Sequence, residues 1–166
     1  AGNPKGAAKM AERGKLLPRE RVERLLDPNT PFLELSPLAA YGFYNNEAVG
    51  ASSIAGIGIV SGVQCLLMFN DPTIKGGAIY PISLEKTLRL QQIALENRLP
   101  IIMGIESAGA NLLYQAEMFV AGGRAFANQA RLSAAGIPQI ALVFGSSTAG
   151  GAYNVGLCDY TVLVRD

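Results

Sequence analysis

The chain has 166 residues, 49% of them apolar and 16% charged, and its 14 basic and 13 acidic residues leave a formal net charge of +1. These proportions are typical of one globular domain and exclude a disordered, collagen-like or coiled-coil protein. No basic surface of the kind that nucleic acids need and no apolar run of about 18 residues is present, so we expect neither a nucleic-acid nor a membrane partner.

The first part of the chain, residues 1–50, is predicted to form an extension of helix and loop. Residues 18–26 begin with a proline, which a first helical turn tolerates, and carry Val22 and Leu25 on one side. We expect a surface helix that docks elsewhere. Its basic residues, predicted to form a solvated or docking face, are Arg13, Lys15, Arg19, Arg21 and Arg24. Residues 32–50 lack a hydrophobic period and are interpreted as loop.

From residue 51 the pattern changes to short apolar runs. Residues 53–60 and 63–69 flank Ser61 and Gly62, which predicts a β-hairpin. Ser83 is expected to cap a helix over residues 84–98, ended by Pro100. Further along the chain we predict strands over 101–105, 139–144 and 160–164, a helix over 117–135 closed by Gly136, and a short helix ending near 157.

Alternating strands and helices predict an α/β fold with a parallel sheet covered on both faces. Two loops of small residues, 106–111 and 145–151, each follow a strand and therefore fall on the same sheet edge, where α/β proteins bind ligands. Neither loop contains a dinucleotide fingerprint or a phosphate-binding P-loop. Ser147 stands near the nucleophile position of a hydrolase elbow, but the chain offers no base for it.

Several chemistries are excluded because the chain contains no histidine. That absence removes His-based zinc sites, Ser-His-Asp and Cys-His triads and an imidazole general base. Cys65 and Cys158 lie far apart without partners at metal-ligand spacing. We therefore expect no metal site, and we interpret both thiols as core residues of a protein from a reducing compartment.

Backbone amides are what the two small-residue loops can offer. Two such amides facing one cavity form an oxyanion hole, and small side chains let a ligand oxygen approach within about 2.7–3.1 Å of the nitrogen. A thioester enolate can be stabilised in this way without a side-chain acid. The alternative is that Gly109, Gly150 and Gly151 only permit tight turns or close helix packing.

Long motifs in the same order resemble a known family. They include Asn-Asp-Pro-Thr-Ile-Lys-Gly-Gly at 70–77, Glu-Ser-Ala-Gly-Ala-Asn at 106–111 and Thr-Ala-Gly-Gly-Ala-Tyr at 148–153. Further matching segments are 14–28, 32–42, 128–131 and 136–140. On these motifs the chain resembles the N-terminal part of the carboxyltransferase (β) subunit of biotin-dependent acyl-CoA carboxylases, with the methylcrotonyl-CoA and geranyl-CoA branch nearest.

The resemblance implies a crotonase-type (ClpP/crotonase) β-β-α spiral, with an incomplete N-terminal carboxyltransferase domain in which residues 51–166 form a partial acyl-CoA-binding domain. It implies transfer of a carboxyl group from carboxybiotin to an acyl-CoA through a thioester enolate, the biotin acting as base. The family's domain continues past a strand like 161–165 into a biotin-binding half, so we expect this chain to hold only part of the site. The alternatives are a non-catalytic assembly fragment and another crotonase-fold CoA enzyme such as a decarboxylase.

The implied partners are an acyl-CoA and a biotin carboxylase or biotin carrier subunit, since the biotin belongs to a partner chain or domain. A homo-oligomer is expected. The implied compartment is the cytoplasm, with the mitochondrial matrix as the alternative.

The resemblance also implies roles for individual residues. The thioester oxygen would meet the amides of Gly109 and Ala110, facing a wall that includes Gly150 and Gly151. The substrate-binding positions would be Lys75, Gly76, Gly77, Ser107, Ala108, Asn111, Ala149 and Tyr153.

Four of the implied roles carry a further expectation or an alternative. Lys75 and Arg131 would meet a CoA phosphate or else be solvated, and Tyr153 would line the acyl pocket or else belong to the core. Ala108 replaces a glycine usual in the family, and its methyl group is expected to narrow the oxyanion hole or to forbid a positive φ.

Overall fold

The computed structural model describes residues 2–165, which are organised by a six-stranded sheet. In spatial and chain order its strands are β1 (Leu33–Glu34), β2 (Ser53–Val60), β3 (Val63–Asn70), β4 (Ile101–Ser107), β5 (Gln139–Ser147) and β6 (Tyr160–Leu163). The helices are α1 (Pro4–Glu12), α2 (Pro18–Leu25), α3 (Pro81–Asn97), α4 (Gln115–Ala134) and α5 (Gly150–Gly156), with 3₁₀ turns at Tyr44–Asn46 and Leu112–Tyr114.

The predicted hairpin is confirmed as β2 and β3. Its two turn residues, Ser61 and Gly62, both have positive φ, at 50° and 77°, as the tight turns that match the twist of a hairpin require. Both turn amides donate to the carboxylate of Asp27 at 2.7 Å. The residue that follows α2 and its C-cap therefore holds the hairpin turn in place.

Three parallel crossovers follow the hairpin and confirm the α/β prediction. α3 connects β3 to β4, α4 connects β4 to β5, and α5 connects β5 to β6, each pair of strands being parallel. Side chains alternate across β3, so that Leu66 packs in the cluster that includes Leu90 of α3 and Leu132 of α4, while Leu67 packs with Val22 of α2. Helices therefore cover both faces of the sheet.

The N-terminal part differs from expectation in two places. α2 does not dock elsewhere, because Val22 is 2% exposed and lies in the cluster under β3 of the same chain. Residues 32–50 are largely turns, but they contain the short strand β1, which pairs with β2. α1 is an additional helix, and the Asn3 side chain begins it by accepting the amides of Lys5 and Gly6. A boundary at residue 50 stays a prediction.

The prediction of Ser83 as an N-cap is wrong by one helical turn. α3 begins at Pro81, and the Ser83 hydroxyl accepts the amide of Tyr80 at 3.1 Å from the third helical position. β4 and β5 also extend two and three residues beyond their predicted ends. Parts of both predicted loops are therefore strand.

Lys86 makes the stability of this fold depend on pH. The residue is 5% exposed, and its ammonium donates to the carbonyls of Gly50 and Ser53 at 2.9 and 3.0 Å. Burial lowers the pKa of Lys86 from 10.5 to about 8. Between these values the unfolded chain binds more protons than the folded chain, so the Lys86 contribution to the free energy of unfolding increases as the pH rises.

We expect the variant Lys86→Met to lose this rise between about pH 8 and 10.5. Urea unfolding of the wild type and the variant across the window measures it, and Lys9→Met, which changes an exposed lysine, is the control that keeps the wild-type slope. An unchanged slope in Lys86→Met would contradict the assignment.

Candidate functional site

The two small-residue loops meet where β4 and β5 end. Ser107 pairs with Ser147, and the next amide, that of Thr148, donates to the carbonyl of Ser107 at 3.1 Å. The expectation that both loops lie on one sheet edge is therefore confirmed. The edge is the carboxyl end of the parallel strands, where ligands of such sheets bind.

Ser107 holds the first loop together from inside. Its hydroxyl donates to the carbonyl of Gly77 at 2.9 Å and accepts the amide of Gly109 at 3.1 Å, and the residue is 2% exposed. The amide of Ala108 also has an acceptor, because it donates to the carbonyl of Gly76 at 2.9 Å. The prediction that the Gly109 amide is free for a ligand is therefore wrong for this structure. The Ser107 hydroxyl likewise bonds to backbone groups of the chain.

Ala110 supplies the free donor of the first loop. The carbonyl of Gly109 and the amide of Asn111 both bond to Ile79 at 2.9 Å, in a parallel bridge centred on Ala110. In such a bridge the amide of the central residue points away from the opposite strand. The Ala110 amide has no hydrogen-bond acceptor among residues 2–165.

Gly150 supplies a free donor of the second loop. The amide of Gly151 donates to the carbonyl of Thr148 at 2.9 Å and is thus not available to a ligand. Gly150 is the first residue of α5, where an amide has no acceptor inside its own helix. The helix dipole adds positive potential at this position.

A cavity of about 570 Å³ between α3, α4 and the sheet is lined by both free donors, Ala110 and Gly150, and by Ala149. Its remaining walls are largely apolar, with Met68, Met103, Ile105, Met118 and Phe126 among them. None of the described residues that line it carries an ionisable side chain. The cavity can therefore enclose an apolar group and offer two amides to an oxygen, and its walls supply no acid or base.

A second cavity, of about 610 Å³, lies on the other side of the contact between the loops. Its lining includes four cationic residues and one acidic residue: Lys9, Arg13, Lys15, Lys75 and Glu106. Gly76, Ser107 and Ala108 also line it. Of the eight predicted substrate-binding residues, one thus lines the apolar cavity (Ala149), four line the cationic cavity (Lys75, Gly76, Ser107 and Ala108) and three line neither (Gly77, Asn111 and Tyr153).

The structure agrees with one of the two effects expected of Ala108. Ala108 does not adopt a positive φ, as expected for a residue with a Cβ, but it lines the cationic cavity rather than the cavity with the free donors. Its methyl group therefore neither strains the backbone nor narrows the oxyanion hole. The close approach occurs instead at Gly77, where φ is 81° and a Cβ would overlap the carbonyl oxygen of Glu106.

Two further predicted residues have roles within the chain. Asn111 is 9% exposed, and its side-chain oxygen accepts the amide of Leu113 at 3.2 Å at the start of a 3₁₀ turn. Tyr153 is 67% exposed and stacks on Phe126 at a ring distance of 5.5 Å. Tyr153 is therefore not a core residue, and it does not line the apolar cavity.

The two predicted phosphate contacts already have partners. The ammonium of Lys75 lies 2.8 Å from Glu47, and this pair raises the pKa of Lys75 and lowers that of Glu47. The guanidinium of Arg131 donates to Asn128 at 2.9 Å on the exposed side of α4. Arg131 lines neither cavity.

Sequence reasoning missed the group of charges around Glu106. Lys15 and Arg21 bind its two carboxylate oxygens at 2.7 and 2.8 Å, and the Arg21 side chain is only 4% exposed. The prediction that the N-terminal basic residues form a solvated or docking face is therefore wrong for these two. The sequence feature that could have revealed this group was Glu106, an acidic residue at the end of an otherwise apolar strand.

Both cysteines are unsuited to nucleophilic chemistry. Burial raises the pKa of Cys158 to about 11 and also raises that of Cys65. Thiols with raised pKa values stay protonated at neutral pH. Within residues 2–165, no three histidine, cysteine or acidic side chains form a group that could hold a metal ion.

Comparisons with known proteins agree with the geometry. The family described as carboxyl transferase domain matches residues 9–166. A probable biotin-dependent acyl-coenzyme A carboxylase beta2 subunit of Mycobacterium tuberculosis is 56% identical over 165 residues, which cover 99% of this chain and 31% of that protein. A probable mitochondrial methylcrotonoyl-CoA carboxylase beta chain of Drosophila melanogaster is 51% identical over 168 residues, 99% of this chain and 29% of that protein.

A solved structure resembles most of this chain. The crystal structure of the beta subunit of geranyl-CoA carboxylase from P. aeruginosa matches with a TM-score of 0.88 and 58% identity, covering 95% of this chain and 30% of that one. The crotonase-type fold expected from the motifs is thereby confirmed. The chain spans about a third of the length of these relatives. No helix of residues 2–165 has the length and apolar character needed to cross a membrane.

Ala149 gives a testable measure of strain in the second loop. With φ 47° and ψ −120° it occupies a turn position that glycine prefers. We expect Ala149→Gly to raise the free energy of unfolding by about 1 kcal/mol because the strain is released. The control, Ala152→Gly inside α5, should lower it by about 0.5–1 kcal/mol. Chemical denaturation measures both, and a loss of stability in Ala149→Gly would contradict the turn assignment.

Proposed function

This chain belongs to the carboxyl transferase domain family, and we propose that it is the N-terminal part of the carboxyltransferase subunit of a biotin-dependent acyl-CoA carboxylase. The observation that carries the proposal is the pair of free amides, at Ala110 and Gly150, lining one apolar cavity. This arrangement suits the carbonyl oxygen of an acyl thioester. The reaction would transfer a carboxyl group from carboxybiotin to the acyl-CoA through the thioester enolate.

In this proposal the acyl group occupies the cavity between α3 and α4. The thioester oxygen accepts hydrogen bonds from Ala110 and Gly150, and the negative charge that develops on it in the enolate lies at the N-terminus of α5. Each well-placed donor of this kind is typically worth about 3 kcal/mol of transition-state stabilisation. Ala149 completes the wall of the apolar cavity. Gly109 and Gly151 use their amides within the two loops and so fix the loop conformations.

The walls of the apolar cavity favour a base that comes from outside it. None of their described residues is ionisable, and the chain has no histidine. In this proposal the substrate proton is taken by a group that enters with the second substrate. Carboxybiotin supplies that chemistry when it is bound, because it provides both CO₂ and, after its release, a basic ring. The chain's own residues hold the thioester and keep its acyl group in apolar surroundings.

The cationic cavity suits the phosphates of coenzyme A. Lys9 and Arg13 are exposed and form no ion pair within the described chain, so their charges are available to a phosphate. Lys75 and Lys15 add positive potential, although each already contacts a carboxylate. We assign the phosphates of the nucleotide to this cavity and the acyl group to the apolar one.

The proposal includes partners and a compartment. A biotin carboxylase or biotin carrier subunit and further copies of this chain are the expected partners, and relatives at 56% and 51% identity are themselves named beta subunits or chains of carboxylases. Exposed apolar side chains at the start of α4, Phe119 and Val120, are 86% and 75% exposed and suit an interface. One of these relatives is a bacterial protein and the other is named a mitochondrial protein of Drosophila melanogaster. We propose the cytoplasm as the compartment, with the mitochondrial matrix as the alternative.

The donor at Gly150 can be tested by filling the space beside it. A Cβ there would lie 3.5 Å from the Phe126 ring, an ordinary contact, so we expect Gly150→Val to fold. Its methyl groups would occupy the mouth of the apolar cavity. Calorimetric titration of the intact gene product with 3-methylcrotonyl-CoA and geranyl-CoA should show binding weakened at least about tenfold, the equivalent of one lost hydrogen bond.

Gly156→Val is the matched control, because it lies in the same helix with no atom within 4 Å of its Cβ position. It should bind like the wild type. Equal losses of affinity in both variants would contradict the role of Gly150, and a wild type that binds neither acyl-CoA would contradict the proposed function.

The phosphate assignment predicts a dependence on the 3′-phosphate of the nucleotide. We expect Arg13→Ala to weaken binding of an acyl-CoA by about fivefold to tenfold and to change binding of the matching 3′-dephospho-CoA thioester much less, because a charge-assisted contact is lost only with the first ligand. Arg131→Ala is the control, since Arg131 lines neither cavity. Equal losses with both ligands would show that Arg13 does not contact this phosphate.

A further inference from the structure

We infer that Glu106, held by Lys15 and Arg21, is a positioning residue that sets the relative placement of the two donor amides. The inference rests on the proposed function, because it concerns the oxyanion hole formed by Ala110 and Gly150. It assigns a role to Lys15, which precedes α2, and to Arg21, which lies within α2. Neither residue lines the apolar cavity. Two observations support it: an irregularity between β4 and β5, and the charges that fill that irregularity.

The sheet is interrupted between the last two pairs of residues that β4 and β5 share. Ile105 pairs with Val143, and the next pair is Ser107 with Ser147. β4 thus advances by two residues while β5 advances by four, and Glu106 stands opposite the additional backbone. Bulges of this kind bend a strand and redirect the backbone beyond them. Here both donor loops begin directly after the bulge.

Lys15 occupies the bulge. Its ammonium donates to the carbonyl of Phe144 at 3.0 Å and to the Glu106 carboxylate at 2.7 Å. The carbonyl would otherwise have lost its ladder partner at the bulge. A Cβ at Gly145 would lie 2.7 Å from Glu106 Oε1 and 2.8 Å from Lys15 Nζ, so a larger residue there would displace the ends of these two side chains. The bulge and the charges are therefore fitted to each other.

Arg21 fixes the other oxygen of Glu106 from a buried position. Its guanidinium lies 2.8 Å from Glu106 Oε2, donates through Nε to the carbonyl of Leu16 at 2.9 Å, and stacks 4.4 Å above the Phe144 ring. The side chain is 4% exposed. Neutralising one member of such a cluster leaves the opposite charge buried and unpaired, so the remaining members must move.

The cluster is one residue from the contacts that shape both loops. Ser107 follows Glu106, holds the amide of Gly109 through its hydroxyl, and accepts the amide of Thr148 through its carbonyl. A shift of Glu106 is therefore transmitted to the backbone before Ala110 and to the backbone before Gly150. A displacement of about 1 Å at such donors is enough to cost about 10²-fold in rate.

The test compares two ligands that differ by one oxygen. The first is an acyl-CoA thioester and the second is the matching alkyl-CoA thioether, which has a methylene group in place of the carbonyl. Calorimetry of the intact gene product gives the ratio of their dissociation constants, and that ratio reports the placement of the donor amides. We expect Glu106→Gln to reduce the wild-type preference for the thioester by roughly tenfold, the equivalent of one misplaced hydrogen bond. Glu106 also lines the cationic cavity, but an effect on the nucleotide phosphates is common to both ligands and cancels in the ratio.

Two further variants keep the test decisive. Lys15→Met, at a side chain that is 28% exposed, removes one of the two contacts and serves if Glu106→Gln does not fold. Glu34→Gln is the matched control, because it breaks the exposed pair of Arg19 and Glu34 on α2 and β1, away from the bulge. It should keep the wild-type ratio.

Equal losses for thioester and thioether would indicate a purely structural cluster and overturn the inference. An unchanged ratio in a folded Glu106→Gln would overturn it as well. A wild type that does not prefer the thioester would instead contradict the proposed oxyanion hole, so failure of the two proposals can be told apart.

Discussion

The arrangement of this site depends on the join between the ends of β4 and β5. The two strands resume pairing at Ser107 and Ser147 after a bulge, and this register decides which backbone groups face each other. Ser107 then uses its hydroxyl and carbonyl to take up the amides of Gly109 and Thr148. Because buried backbone groups must be paired, the few amides left over are informative. They include those of Ala110 and Gly150, and both residues line the apolar cavity.

The chemistry of the site depends on two features. The described walls of the apolar cavity carry no charged side chain, and its hydrogen-bond donors are backbone amides. An apolar cavity without ionisable side chains in its described walls strengthens any electrostatic interaction within it, because little solvent screens the charge. Two amides can therefore stabilise an enolate there, while the cationic residues Lys9 and Arg13 lie in a separate cavity suited to phosphates. The contact between the two loops separates these environments. An acyl-CoA has both properties in one molecule, because its thioester links an apolar acyl chain to a phosphorylated nucleotide.

The N-terminal segment belongs physically to this arrangement. α1 packs so closely on the loop after β3 that a Cβ at Gly6 would overlap the carbonyl oxygen of Thr73. α2 buries Val22 against the sheet and brings Arg21 to Glu106. The segment thus contributes a wall to the cationic cavity and fills the bulge from which both donor loops start. The charges of Lys15 and Arg21 act through Glu106, whose side chain is 14% exposed, so solvent screens these pairs less than the exposed pair of Arg19 and Glu34.

The sequence by itself determined the α/β class, the hairpin, the order of crossovers and the common edge of the two loops, since hydrophobic period, turn residues and Gly136 as a helix end are local signals. Its motifs also identified the family. Only the tertiary structure decided that Gly109 and Gly151 use their amides internally, that Ala108 lines the other cavity, that Tyr153 is exposed, and that Arg21 is buried on Glu106. Those outcomes depend on strand register and on partners as many as 85 positions away, which no local pattern encodes.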